Sequence, residues 1–284
     1  MLSAERRLGI VYVFEIDVTM LAGQPAFFAQ EQEESCVMND AGVSTRITLR
    51  VPGDWSHPGE LLERLPEGFR LSESGLSLPD GATVEVAPLP PDQQFPQIFQ
   101  SACRRPPTDD ELAILARYRV NIGLSGPGGS LESALTMMQA GAAIVQAGGA
   151  GVFIDNSAIA HGGEDWIAMT EDGSPDAISF AFTSIIRGSK SNGVYTMGMQ
   201  VMGFPDLLMS ASDVDARGET IVDIIRYICG GDRPIDVGHL LADELGPRFQ
   251  VVAKERDEFD VDSVMHNPNG RLKIENAKKI AEGN

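Results

Sequence analysis

Arg119 to Asp155 read RVNIGLSGPGGSLESALTMMQAGAAIVQAGGAGVFID, and this stretch decides the fold. Arg119 to Leu124 is apolar and short, as a buried strand is. Ser125-Gly126-Pro127-Gly128-Gly129-Ser130 is a turn, and Leu131 to Ala147 has the length and composition of a helix. Gly151 to Ile154 is a second buried strand. Together they form a strand–helix–strand unit long enough for a parallel crossover. No charge occurs between Glu132 and Asp155, a span that could cross a bilayer. Gln139, Gln146 and Gly148-Gly149 interrupt it, so the expectation is a buried helix feeding a buried strand.

Working outward, Thr108-Asp109-Asp110-Glu111 is a capping box that opens a helix to Tyr118. Downstream, Ala177 to Ile186 and Gly193 to Met202 are β-rich runs with hairpin spacing. Leu207 to Ser210 is a short strand. Glu219 to Cys229 puts Ile221, Ile224, Ile225 and Ile228 on one helix face, ended by Gly230-Gly231. Phe249 to Ala253 is a late strand, and Ile274 to Ile280 forms a helix in a charged tail. Upstream, Leu8 to Val18, Thr45 to Val51 and Thr83 to Val86 are strand candidates, Pro58 to Leu65 is a short helix, and Glu31 to Glu34 is a solvated loop. The expected fold is α+β, a mixed sheet with helices mainly on one face; an open α/β sheet is the alternative. Prolines cluster from Pro88 to Pro107. The expected division is a β-rich subdomain over 1–87, a connector over 88–107 and the main domain over 108–284.

The 284 residues carry 22 Lys plus Arg against 41 Asp plus Glu, a net charge of −19. Such a surface repels phosphate backbones and anionic lipids, so neither nucleic acid nor a membrane is an expected partner. Cys36, Cys103 and Cys229 have no metal-ligand spacing and their number is odd, which points to free thiols and a cytoplasmic location. The apolar run at the N-terminus is broken by Glu15 and Asp17 and lacks a cleavage site, so no export signal is expected.

Two places hold chemistry-bearing residues. The turn with Gly126, Gly128, Gly129 and Ser130 follows a strand and opens a helix, a place that attracts anions. Leu131 stands where a dinucleotide fingerprint has its third glycine, and no P-loop lysine follows. It is a candidate cofactor site whose simpler reading is a turn with a serine cap, and no cofactor is expected. The second place is the polar loop Asp155 to Trp166, with Asp155, Ser157, His161, Glu164 and Asp165. Here His161, Asp155 and Asp165 are the candidate catalytic residues. Neighbouring carboxylates are expected to raise the His161 pKa and suit it to proton transfer. His57, His239 and His266 lie in no H-x-x-H arrangement. A metal site needs His161, His239 and His266 to converge in space.

Val194-Tyr195-Thr196-Met197-Gly198-Met199, the turn Gly203-Phe204-Pro205-Asp206, and the helix over Ile221 to Tyr227 resemble a bacterial family called domain of unknown function 4261. The resemblance covers about Tyr118 to His239, and Phe204 stands where that family's turn has Leu. It implies a shared fold and no particular reaction. Within the turn, Pro205 fixes the bend and Asp206 can cap nearby N–H groups. The leading functional expectation is a non-catalytic module that binds a protein or small ligand. The alternatives are a hydrolase-like enzyme at 155–166 and a nucleotide or phosphate binder at 125–130.

Overall fold

A computed structural model describes residues 45–188, 192–231, 235–243 and 246–282. The strand and loop expected over 8–18 and 31–34, and Cys36, lie outside them. Along the chain come β1 (Arg46–Gly53), α1 (Pro58–Arg64), β2 (Arg70–Ser72), β3 (Gly75–Ser77), β4 (Thr83–Leu89) and α2 (Phe95–Ala102). Then follow α3 (Asp109–Arg117), β5 (Val120–Pro127), α4 (Leu131–Gln146), β6 (Gly151–Ile154), β7 (Ile159–Gly162), α5 (Gly163–Asp172) and α6 (Pro175–Phe182). The last part is β8 (Ser184–Arg187), β9 (Gly193–Met197), a 3-10 turn (Met199–Met202), β10 (Asp206–Ser210), α7 (Glu219–Cys229), β11 (Leu240–Asp243), β12 (Gly246–Glu255), β13 (Arg271–Asn276) and α8 (Ala277–Glu282).

The fold is α+β. One sheet has the order β2-β3-β4-β5-β1-β6-β7 and is antiparallel throughout. The other, β11-β12-β13-β10-β9-β8, is mixed, with β10 parallel to β13. The β5–α4–β6 unit is the expected crossover with one correction. Its strands run parallel but do not touch, because β1 lies between them and is antiparallel to both. A strand inserted from about 70 residues earlier leaves no mark on the local pattern. β4 hydrogen-bonds to β5, so this sheet draws strands from both sides of the 88–107 segment.

Alternation along β1 decides which side holds the main core. Ile47, Leu49 and Val51 face α4, and with α5, α6, α7 and the second sheet they form one continuous core. The opposite face is smaller: Phe95 and Phe99 of α2 and Leu115 of α3 cover Phe153 and Ala160. Among the described residues no helix is long and apolar enough to cross a membrane.

Three local expectations need correcting. Ala177 to Phe182 is helix, not strand. Ser174 caps it by accepting from Ala177 N at 3.2 Å, Pro175 starts it, and start signals outweigh β-propensity over so short a run. Ile274 to Asn276 belongs to β13, so the terminal helix starts only at Ala277. Asp155 to Trp166 is not a loop: a four-residue turn leads into β7, and α5 follows at once. The capping box at Thr108 is present, as expected, with both of its bonds formed.

Candidate functional site

The glycine turn is tied into the protein. Gly126 pairs with Ile47 in the sheet, Gly128 N–H donates to Thr45 O at 2.8 Å, and Gly129 N–H donates to Val201 O at 2.8 Å. Ser130 Oγ accepts from Ser133 N at 3.0 Å and caps α4. The donors that would cradle a phosphate at Gly128 and Gly129 are therefore already engaged. Against this turn sits Gly203, whose φ is +86°; a Cβ there would lie 2.4 Å from Gly129 O. The two glycine turns interlock where the two sheets meet.

Of the residues singled out over 155–166, Asp155, Ser157 and His161 are buried, Asp165 is half-buried and Glu164 is exposed. Asp155 forms a short ion pair with Arg50, Nε to Oδ1 at 2.9 Å, while burial pushes its carboxyl up against that attraction. Asp165 pairs with Arg105 at 2.7 Å. His161 is 2% exposed and donates Nε2–H to Ala181 O at 2.9 Å, between the rings of Trp166 and Phe180. Its pKa moves opposite to the expectation. Burial, then the charges of Arg104 and Arg105, push it down to about 3, so the imidazole is neutral. The carboxylates of Asp155 and Asp165 are held by arginines, that of Glu164 is exposed, and the charges that act on His161 are those of Arg104 and Arg105. His239 meets Tyr227 (3.1 Å) and His266 meets Phe259 O (3.0 Å). Among the described residues no three His, Cys, Asp or Glu side chains gather as a metal site requires.

Glu111 is the residue that sequence reasoning used only once. Its carboxylate accepts Thr108 N–H at 2.7 Å and also Glu164 N–H at 3.1 Å, so it caps the helix it belongs to and the start of α5. Gly162 leaves the space for it: a Cβ there would lie 2.5 Å from Glu111 Oε2.

A large crevice lies elsewhere, within the excursion between β12 and β13. It measures about 1000 Å³ and is lined by residues 254–270 alone. Its walls are mixed: Phe259, Val261, Val264 and Met265 beside the acids Glu255, Asp257, Asp260 and Asp262 and the cations Lys254 and Arg256. Val261 is 67% exposed. Beneath it lies a buried polar frame. Asp257, with a side chain 3% exposed, accepts Asn267 N–H at 2.6 Å and faces Arg271 at 3.5 Å. Asn267 Nδ2 donates to Phe204 O at 3.1 Å and to Asp206 Oδ2 at 2.7 Å. Asp206 also accepts from Thr196 Oγ1 at 3.0 Å and Met199 N at 3.4 Å, so it caps N–H groups as its turn suggested. Burial, only partly offset by the hydrogen bonds from Asn267, Thr196 and Met199, pushes its carboxyl up to about 7. Two further bonds anchor the loop: Asn156 Nδ2 to Val264 O (3.0 Å) and Gln200 Nε2 to Met265 O (3.3 Å). The excursion is thereby pinned to both sheets. A turn signal, Asn267-Pro268-Asn269-Gly270, marked its end in the sequence, but nothing there marked a crevice.

No protein-family model, no curated protein and no solved structure matches this chain.

Proposed function

We infer that the protein is a non-catalytic cytosolic binding module and that its ligand occupies the crevice within residues 254–270. The observation that carries this reading is an open cavity of about 1000 Å³, the size of small-ligand and peptide sites, on a frame fixed by buried hydrogen bonds. A fixed frame lowers the ordering cost of binding. Its apolar wall suits a hydrophobic side chain, and its four carboxylates outnumber Lys254 and Arg256 and suit a cation, so the ligand class is a short peptide or small molecule with an aromatic or aliphatic body and a positive charge. The net charge of −19 would speed the encounter with such a ligand and repel nucleic acid. Cys103 and Cys229 are free, which fits a reducing cytosol.

Fluorescence anisotropy on the full chain tests this, with two labelled peptides that share aromatic residues and differ in having Lys and Arg or Asp and Glu. The basic peptide should bind in about the micromolar range and the acidic one at least about tenfold more weakly. Val261→Ser and Asp262→Lys should each weaken the basic peptide about tenfold without lowering the melting temperature. Equal binding of both peptides, or binding indifferent to both substitutions, would refute the assignment.

A further inference from the structure

The chain enters β1 beside the crevice. Asn156 Nδ2 donates to Arg46 O at 2.9 Å and to Val264 O at 3.0 Å, so the first residue of β1 and a crevice wall share one amide nitrogen. Residues 1–44 therefore join the described fold next to the crevice. Asp260 and Asp262 flank Val261 there, and all three are exposed. Among the described residues neither carboxylate has an ion pair or a side-chain hydrogen bond. Asp257, by contrast, is already engaged by Asn267 and Arg271, and Lys254 and Arg256 stand at the end of β12. Arg6 and Arg7 are the only cations before Arg46 in the sequence. They run straight into Leu8-Gly9-Ile10-Val11-Tyr12-Val13-Phe14, a stretch without a charge. That is a positive pair on an aliphatic and aromatic body, the ligand class assigned to the crevice.

Resting on the reading of the crevice as a binding site, we propose that its resident occupant is the chain's own segment Arg6 to Phe14, docked in cis, which an external ligand must displace. Arg6 and Arg7 meet Asp260 and Asp262, and the apolar run covers Phe259, Val261 and Val264. Burial of such a run is favourable in proportion to its apolar area. An unstructured chain the length of residues 15–44 has an end-to-end distance of roughly 30 Å, which holds a tethered segment at an effective concentration on the order of 1 mM. An intrinsic dissociation constant of about 100 µM then gives about 90% occupancy and weakens an external ligand about tenfold. The external basic peptide therefore binds the full chain in the micromolar range only after this competition.

The test uses the labelled basic peptide of the anisotropy experiment on the full chain. Arg6→Gln with Arg7→Gln, and separately Ile10→Ser with Tyr12→Ser, should each tighten its binding about tenfold and leave the melting temperature unchanged. The second pair does not alter the net charge, so long-range attraction cannot account for its effect. Placement is read directly from a nitroxide attached through Ser3→Cys in a Cys36→Ser chain, where Cys103 and Cys229 are buried. It should broaden the amides of residues 258–266, and Arg6→Gln with Arg7→Gln should restore them. A peptide that depends on Val261 and Asp262 but binds wild type and both double variants alike would overturn this inference and leave the crevice reading standing. A peptide indifferent to Val261 and Asp262 would overturn both. A melting temperature lowered by Ile10→Ser with Tyr12→Ser would put the run in the folded core, and broadening seen only between molecules, in a mixture of spin-labelled and isotope-labelled chains, would put it on a second copy; either result overturns docking in cis.

Discussion

His161 and Asp206 make opposite demands on pH, and separating them is the sharpest check on the interior. His161 is neutral in the fold, with its pKa pushed down to about 3 from an ordinary 6.5. The unfolded chain binds that proton first, so the stability His161 contributes is complete above pH 6.5 and is lost as pH falls toward 3. Asp206 is pushed up to about 7 from 3.8. Here the folded state binds the proton first, so the contribution is complete below 3.8 and is lost as pH rises through 7. Each slope is at most about 1.4 kcal/mol per pH unit and lessens near pH 6.5, so between about pH 4.5 and about pH 6.5 each residue moves stability by about 2 kcal/mol, in opposite directions. In the wild type they cancel. In His161→Gln the Asp206 slope stands alone, and stability should fall by about 2 kcal/mol, relative to wild type, from about pH 4.5 to about pH 6.5. In Asp206→Asn it should rise by a similar amount. Urea unfolding across that range gives both slopes as differences from the wild type, which removes the titration of surface carboxylates. The glutamine amide in His161→Gln can still donate to Ala181 O, so the pH-independent cost of that substitution should be only about 1 kcal/mol. Variant curves parallel to the wild type would refute the reasoning, because they would mean that neither group titrates differently in the folded and unfolded states.

Gly203→Ala should cost about 3 kcal/mol, since its Cβ would meet Gly129 O, whereas Gly81→Ala, also at positive φ but in open space, should cost about 1 kcal/mol; chemical denaturation measures both, and equal costs would mean the two turns do not interlock. Cys103 and Cys229, buried with thiols pushed up to about 12, should resist iodoacetamide in the native protein, while all three cysteines should react in unreduced denatured protein; a native-state reaction at Cys103 would contradict its burial. ATP, NAD and inorganic phosphate should leave the melting temperature unchanged, because Gly128 and Gly129 already donate to protein carbonyls; a saturable rise would reinstate the phosphate reading of that turn.

Elements whose determinants are local were legible. Ser130 and Thr108 announce α4 and α3 by their caps, and the isoleucine stripe announces α7, because each signal acts within one or two turns of chain. What escaped was set at a distance or by short segments. β7 is four residues long and only Ile159 in it is neither small nor polar; its burial comes from α2 on one face and Trp166 on the other. Helix α2 hides in a proline-rich stretch because Pro96 sits in its first turn, where proline lacks no needed donor. The place of β1 between β5 and β6 is a tertiary choice with no local residue behind it.

The surroundings of the 155–166 residues were illegible for a related reason. A run such as Asp155-Asn156-Ser157 reads as solvated because polar side chains in isolation prefer water, yet all three are buried here, and Asp155 and Asn156 have partners more than a hundred residues away. Asn156 is the clearest case: its side chain takes Thr48 N–H and gives to Arg46 O and Val264 O, so one amide joins β1 to the crevice loop. The same holds for Asp206 and Asn267, 61 positions apart in the chain and 2.7 Å apart in the fold. Polar residues with such partners organise where the two sheets meet, and they pin the excursion that the proposed function makes the binding site. On this physical reading, disrupting Asn267 should act on the crevice before it acts on either sheet. Asn267→Ala removes the donor to Asp206 and the cap on Asn269 N–H, so it should loosen residues 254–270 and weaken binding at the crevice. Amide exchange should quicken there and stay slow in β1 and β5. Uniformly faster exchange across both sheets would show that the frame supports the whole fold and not the crevice alone.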